Sequence, residues 1–106
     1  MNKTDIIARR VLGWKLNRWD RWYDFENGTF IENADFQPEE NLDHAMIIVK
    51  KLESFGFTYK ATTYESIGDH VVCFNDTCAH GTTLAQAITN AAFEIAEVKS
   101  IEEGWL

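Results

Sequence analysis

Apolar residues recur at three- and four-residue spacing in the last third of the chain. Leu84, Ile88, Ala91, Ile95 and Val98 make one face of a helix. Thr83 and Gln86 precede this run at the spacing of a capping box, with a hydroxyl for the N3 amide and a glutamine reaching back to the N-cap. Ala85, Ala87, Ala91, Ala92 and Ala96 are small enough to let the helix lie close against a sheet. Gly81, just before it, is read as a turn residue that can adopt conformations closed to other side chains.

The same periodicity predicts two earlier helices. Asp5 to Leu12 pairs Ile7 with Val11 and Ala8 with Leu12, and Arg9 and Arg10 fall on the other side. Thr4 is its expected N-cap and Gly13 its stop. The second helix starts with either Pro38 at N1 or Asn41 as N-cap. It carries Leu42, Ala45, Met46, Val49 and Leu52 as a core stripe and ends at Phe55-Gly56.

Between the helices the pattern shortens. Trp22 to Glu26 and Thr29 to Ile31 read as strands around Asn27-Gly28, a pair that favours a type I′ turn. Trp14 to Asp20 is left open between strand and irregular chain. Phe57 to Tyr64 is rich in β-branched and aromatic residues, hence a strand. Ser66 to Asp69 turns the chain, and His70 to Phe74 returns. Asn75-Asp76-Thr77 is expected to lead into the last helix, and Ser100 to Leu106 to be loose apart from Trp105. The predicted order is helix, hairpin, helix, hairpin, helix. It makes an α+β domain spanning residues 1–106, with an antiparallel sheet from two hairpins and helices packed on its faces. A helix on each face would explain why Val71, Val72, Cys73 and Phe74 do not alternate cleanly.

Several of these residues resemble the phage ABA sandwich domain family. They are Gly13-Trp14-Lys15 after a short helix, the Ala45-Met46 helix after a proline-containing lead, the Phe57 strand, and His80-Gly81-Thr82-Thr83 before an Ala-Ile-x-x-Ala-Ala helix. The resemblance covers nearly the whole chain. Where the family often has Pro-Glu-Ala, this chain has Leu84-Ala85-Gln86. The resemblance implies an α/β/α sandwich and a phage origin, and it carries over no catalytic residue.

Length and composition narrow the functional classes. A chain of 106 residues with 45% apolar content supports one folded core and excludes a disordered chain. No apolar run is long enough to span a membrane, and the N-terminus lacks a signal-peptide core. Two cysteines without a secretion signal predict free thiols in a reducing compartment, which the phage origin implied by the resemblance would make the host bacterial cytoplasm.

A net charge of −7 disfavours non-specific DNA binding. Its distribution adds more. Lys3, Arg9, Arg10, Lys15, Arg18 and Arg21 against Asp5 and Asp20 leave residues 1–22 at +4, so the remainder carries −11. That polarity either orients a partner or folds back to neutralise the body.

Trp14 to Tyr23 interleaves aromatics with Lys15, Arg18 and Arg21. This is the composition that stacks a base and neutralises a phosphate. Lys15, Arg18, Trp19, Arg21 and Trp22 are therefore candidate ligand-binding residues. The competing reading puts Trp14, Trp22 and Phe30 in the core. A second anion site is expected at His80, Gly81 and Thr82, where helix amides point outward and His80 gains charge at low pH. Against it, Thr83 and Gln86 already cap those amides.

His70, Cys73, Cys78 and His80 carry zinc-ligand chemistry. On a strand, however, Cys73 and His70 point to opposite faces, so no metal is expected. Cys78 and His80 lack a third group to orient a nucleophile and base. Asp24, Glu26, Asp35, Glu39, Glu40 and Asp43 read as a solvated face, and no phosphate-loop, zinc-protease or nucleophile-elbow motif occurs. The expectation is a non-enzymatic binding protein without a cofactor, acting as a homo-oligomer. It binds a small nucleotide-like anion or, through its acidic body, a host protein.

Overall fold

The computed structural model describes residues 2–24 and 28–102, with side chains described as far as residue 97. Helix α1 (Lys3–Arg10) begins at Asn2, whose Oδ1 accepts from the Asp5 amide at 2.8 Å. Thr4, expected as the cap, lies inside the first turn instead, because Asn2 is placed to cap two residues earlier. Ile7, Ala8, Val11 and Leu12 are buried, as their spacing predicts. Gly13 ends the helix at φ 73°, which lets the Trp14 amide return to the Ala8 carbonyl at 2.9 Å. Trp14 is thereby turned into the core, its ring 4.9 Å from that of Phe36.

Three strands follow: β1 (Lys15–Leu16), β2 (Arg21–Asp24) and β3 (Thr29–Glu32). They form an antiparallel meander that pairs Lys15 with Tyr23, Trp22 with Ile31 and Tyr23 with Phe30. Asp24 pairs with Thr29, leaving residues 25–28 between the strands. The expected Asn27-Gly28 turn includes a position outside the described residues. Gly28 itself has φ 64°.

Helix α2 (Leu42–Ser54) starts at Asn41, one of the two expected starts. The Asn41 side chain accepts from the Asp43 and His44 amides. Its buried face is Ala45, Ile48, Val49 and Leu52. Leu42, expected in that stripe, is 45% exposed and Met46 only half-buried. A helix starting at Leu42 turns Ile48 toward the core and its own first residue toward solvent.

Strands β4 (Tyr59–Tyr64), β5 (Asp69–Phe74) and β6 (Thr77–Gly81) make a second antiparallel meander. Strand β6 replaces the expected lead into the last helix. Its Cys-Ala-His-Gly composition is a weak strand former, and pairing with β5 decides the matter. The turn between them is Asn75-Asp76, with Asn75 at φ 56°. Asn75 also ties to the residue before β4, its Oδ1 accepting from the Thr58 amide at 2.9 Å. The architecture is thus α+β with antiparallel sheets, as predicted. The two expected hairpins, however, each gain a third strand and form two separate sheets.

This register also revises the reading of β5. Val72 and Phe74 are buried, whereas Val71 and Cys73 are half-buried on the other face, so the strand does alternate. Cys73 stands directly opposite Cys78, and the two are joined as a disulfide. The expectation of free thiols is therefore overturned. A two-residue turn between cysteines five positions apart places them face to face, a consequence of β6 that spacing alone did not show.

Helix α3 (Leu84–Glu102) packs on β5 and β6 and touches both other helices. Ser100 to Glu102, expected to be loose, belong to it. Trp105 lies outside the described residues, as does the side chain of Val98. Ile88, Ala91 and Ile95 are buried, together with Ala85, Ala87, Ala92 and Ala96. Gly81 is not in a turn conformation. It is the last residue of β6, and a Cβ there would meet the Ala87 backbone nitrogen at 2.5 Å. Glycine is needed because the helix backbone lies directly on the strand. Gly81→Ala should therefore cost about 1–3 kcal/mol through forced displacement of α3. An unchanged urea midpoint for that variant would contradict the close approach.

Candidate functional site

The aromatic-basic segment is organised by Asn17. Its Oδ1 accepts from the Trp19 amide at 2.9 Å and the Arg21 amide at 3.1 Å, closing a tight turn between β1 and β2. Asp20 takes φ 65° there, in the left-handed region that aspartate tolerates better than most residues. The turn holds Arg18 and Trp19 out from the body. Trp19 is 64% exposed, and the Arg18 guanidinium lies 4.6 Å from its ring centroid. This cation–π pair presents a flat, charged surface to solvent.

Strand parity sorts the rest. Residues two apart on β2 share a face, so Arg21 and Tyr23 point outward and Trp22 and Asp24 inward. Cross-strand register then aligns Lys15, Tyr23 and Phe30 in one outward row. The Tyr23 and Phe30 rings are 4.9 Å apart, and Phe30 is 57% exposed. Lys15 is exposed and forms no ion pair among the described residues. Arg21 Nε donates to Glu32 Oε1 at 2.8 Å, so part of its charge is already met. Tyr23 and Phe30 were not among the expected site residues. The signal was the register, which places both beside Lys15.

Trp22, by contrast, offers no stacking surface. It is fully buried, its Nε1 donates to Asn33 Oδ1 at 2.9 Å, and the Arg9 guanidinium covers its ring at 5.3 Å. Of the competing core assignment, Trp14 and Trp22 are in the core and Phe30 is not.

His80, Gly81 and Thr82 lie on the other sheet and at its exit, apart from the Lys15–Trp22 segment. His80 Nδ1 is 2.8 Å from Asp69 Oδ2. Gly81 is filled by α3. The Thr82 amide and hydroxyl both donate to Gln86 Oε1, at 2.8 and 2.9 Å. The Gln86 amide donates to Thr83 Oγ1 at 3.1 Å, the expected cap. The glutamine reaches one residue further back than a capping box requires. Glu39 and Glu40 share a cleft of about 410 Å³ with Thr83, Leu84, Ala85 and Gln86. Carboxylates at a helix N-terminus satisfy its dipole and oppose a second anion.

The Cys/His cluster does not assemble either. The disulfide consumes both thiols, which removes them as zinc ligands and removes Cys78 as a nucleophile. Among ionisable groups, the Tyr59 phenol is pushed above its ordinary range, first by burial and then by the Glu53 carboxylate. It is remote in sequence from the candidate residues and keeps its proton.

One cleft lies on the inner side of the first sheet. It has about 300 Å³ and is lined by Leu12, Trp14, Asp24, Ile47, Lys50, Lys51 and Ser54. No helix among the described residues is long and apolar enough to cross a membrane.

Fold and surface define a small α+β domain whose most exposed aromatic-basic feature is the outer face of its first sheet. Residues 5–93 match the model of the phage ABA sandwich domain, and the chain belongs to that family. No curated protein and no solved structure matches the chain.

Proposed function

We propose that this phage-family protein acts without catalysis, by binding and sequestering a small nucleotide-like anion of the bacterial host, so as to blunt a host defence signal. The observation that carries this reading is the outward set of Arg18 on Trp19 beside the Lys15–Tyr23–Phe30 row. A base stacks on the aromatics, and Lys15 and Arg18 meet the phosphate through charge-assisted hydrogen bonds. The face is open, so it covers one side of a ligand. A second copy in a homo-oligomer would cover the other.

Nucleotides, cyclic dinucleotides and ADP-ribose derivatives are the probes. At least one should quench tryptophan fluorescence, with affinity falling as salt rises. The double variant Arg18→Ala, Trp19→Ala should stay folded, since both residues are exposed. It should lose about 1–3 kcal/mol of binding per stacked base. Silence from all probes at millimolar concentration overturns the small-molecule reading. Recovery of a chemically altered ligand overturns the non-enzymatic one.

A second reading is supported by the acidic side of the molecule. Asp76, Glu94 and Glu97 line a shallow cleft of about 560 Å³ with Thr77, Cys78 and Phe93. Such a surface suits a basic host protein, with the chain acting as an inhibitor that mimics nucleic acid.

A further inference from the structure

Among the described residues, β4 is the longest edge strand, with six residues against two in β1, four in β3 and five in β6. It pairs with β5 over its whole length, from Tyr59 opposite Phe74 to Tyr64 opposite Asp69. Apart from the Ile67 amide that closes the turn on the Tyr64 carbonyl, no described residue beyond β5 bonds to its backbone. Alternate residues of such a strand aim N–H and C=O away from their partner, as a template for another strand. Proteins blunt such edges with proline, bulges or charges. Here there is no proline, the register with β5 runs without a bulge, and Lys60 is the one charge in Tyr-Lys-Ala-Thr-Thr-Tyr. The other edge of this sheet is occupied, since Asn90 Nδ2 on α3 donates to the His80 carbonyl of β6 at 2.9 Å.

Both faces of β4 are open as well. Tyr59, Ala61 and Thr63 share the face on which the Tyr59 ring meets Phe74 at 5.6 Å, and Lys60, Thr62 and Tyr64 share the other. Ala61 and Thr63 lie on the same side of the sheet as α3 and are nevertheless exposed, because α3 packs on β5 and β6. The strand therefore extends past the helix cover. At its far end Tyr64 is 49% exposed, and Ile67 in the following turn is 73% exposed. Charge is unequal along it, with Lys60 near the start and Glu65 just past the end. Neither of these two side chains forms a hydrogen bond or ion pair among the described residues.

We infer that the open edge of β4 is a homodimer interface, in which β4 of one copy pairs antiparallel with β4 of a second copy. A two-fold axis perpendicular to the sheet joins the two three-stranded sheets and keeps both α3 helices on one face. Residues opposite each other must share a face, so the axis passes through a residue and not between two. Centred on Thr62, the pairing sets threonine against threonine and Lys60 against Tyr64 of the second copy, next to its Glu65. The lysine stem then covers an exposed ring, and each ammonium meets a carboxylate. Because the strand is reversed in the partner, both complementary contacts form twice. That self-complementarity favours a second copy over an unrelated chain. With Asn90 holding the β6 edge, the joined sheet cannot grow further, so the assembly closes as a dimer. The inference does not rest on the binding reading, whose outer face belongs to the first sheet.

Sedimentation equilibrium of the full chain tests the interface. The chain should be a dimer at micromolar concentration. Thr62→Lys places two ammonium groups together on the axis and should weaken the dimer by about tenfold or more. Its far-UV circular dichroism should be unchanged, since Thr62 is exposed. Lys60→Glu should also weaken the dimer, and the exchange Lys60→Glu, Glu65→Lys should restore it. Hydrogen exchange should show β4 amides gaining protection as concentration rises. The Arg18→Ala, Trp19→Ala variant should dimerise like the wild type. A chain that stays monomeric up to millimolar concentration overturns the inference. So does a dimer indifferent to Thr62→Lys, one that the charge exchange fails to restore, or one without protection in β4. Loss of the dimer in the outer-face variant would move the interface to the first sheet and overturn it too. If Thr62→Lys does not fold, the charge exchange and the β4 amides decide the question by themselves.

Discussion

Trp22→Ala should destabilise the fold by about 3–5 kcal/mol, the range for removing a fully packed aromatic. Trp22 is among the largest fully buried side chains of the chain and has no solvent exposure. Its loss opens a cavity between α1 and the first sheet and strands a hydrogen-bond acceptor, because Asn33 Oδ1 receives the indole N–H. It also uncovers Arg9, which lies over the ring. Trp19→Ala, three positions earlier on an exposed turn, should change stability little. Urea titration of the two variants separates them. Similar midpoints would mean that strand parity across β2 has been assigned wrongly, and with it the outward row that carries the proposed function.

Ile88→Ala should cost about 2–5 kcal/mol. Ile88 is fully buried on the face of α3 that carries Ala85, Ala91 and Ala92, where neighbouring side chains are already small. Small neighbours cannot swing in to fill a vacated volume, and a site that cannot collapse pays the larger cavity term. The check is again the urea midpoint, measured with the disulfide intact so that unfolding stays two-state. A shift within that expected of a surface substitution would show that α3 presents a different face to β5 and β6.

The helices were legible because their information is local. Asn41 and Thr83 are capping residues beside apolar runs, and a side chain that bonds an amide two or three positions away needs no distant partner. The alanine-rich face of α3 was legible for the same reason. The N-cap of α1 was misread by two positions because Asn2 and Thr4 can both cap, and propensity alone does not place the first turn.

The candidate site was legible in composition and not in arrangement. Lys15, Arg18, Trp19, Arg21 and Trp22 stand close together in sequence, yet β2 sends Arg21 outward to Glu32 and Trp22 inward to Asn33. Phe30 joins the outer face only because Tyr23 stands opposite it. Asp24, read with the other carboxylates as part of a solvated face, is instead buried at 6% exposure, because it shares the inward parity of Trp22 on β2.

By itself the sequence determined the α+β class, the three helices, their order between extended segments and the apolar faces that bury them. Those features follow from side-chain period and capping chemistry within a few residues. Only the tertiary structure decided the third strand of each sheet, the Cys73–Cys78 bond, the close seat of α3 on Gly81 and the split of the aromatic segment into core and surface. Each of these depends on which strand lies opposite which. A register shift of one residue would exchange the two faces of a strand while leaving the composition of every segment unchanged.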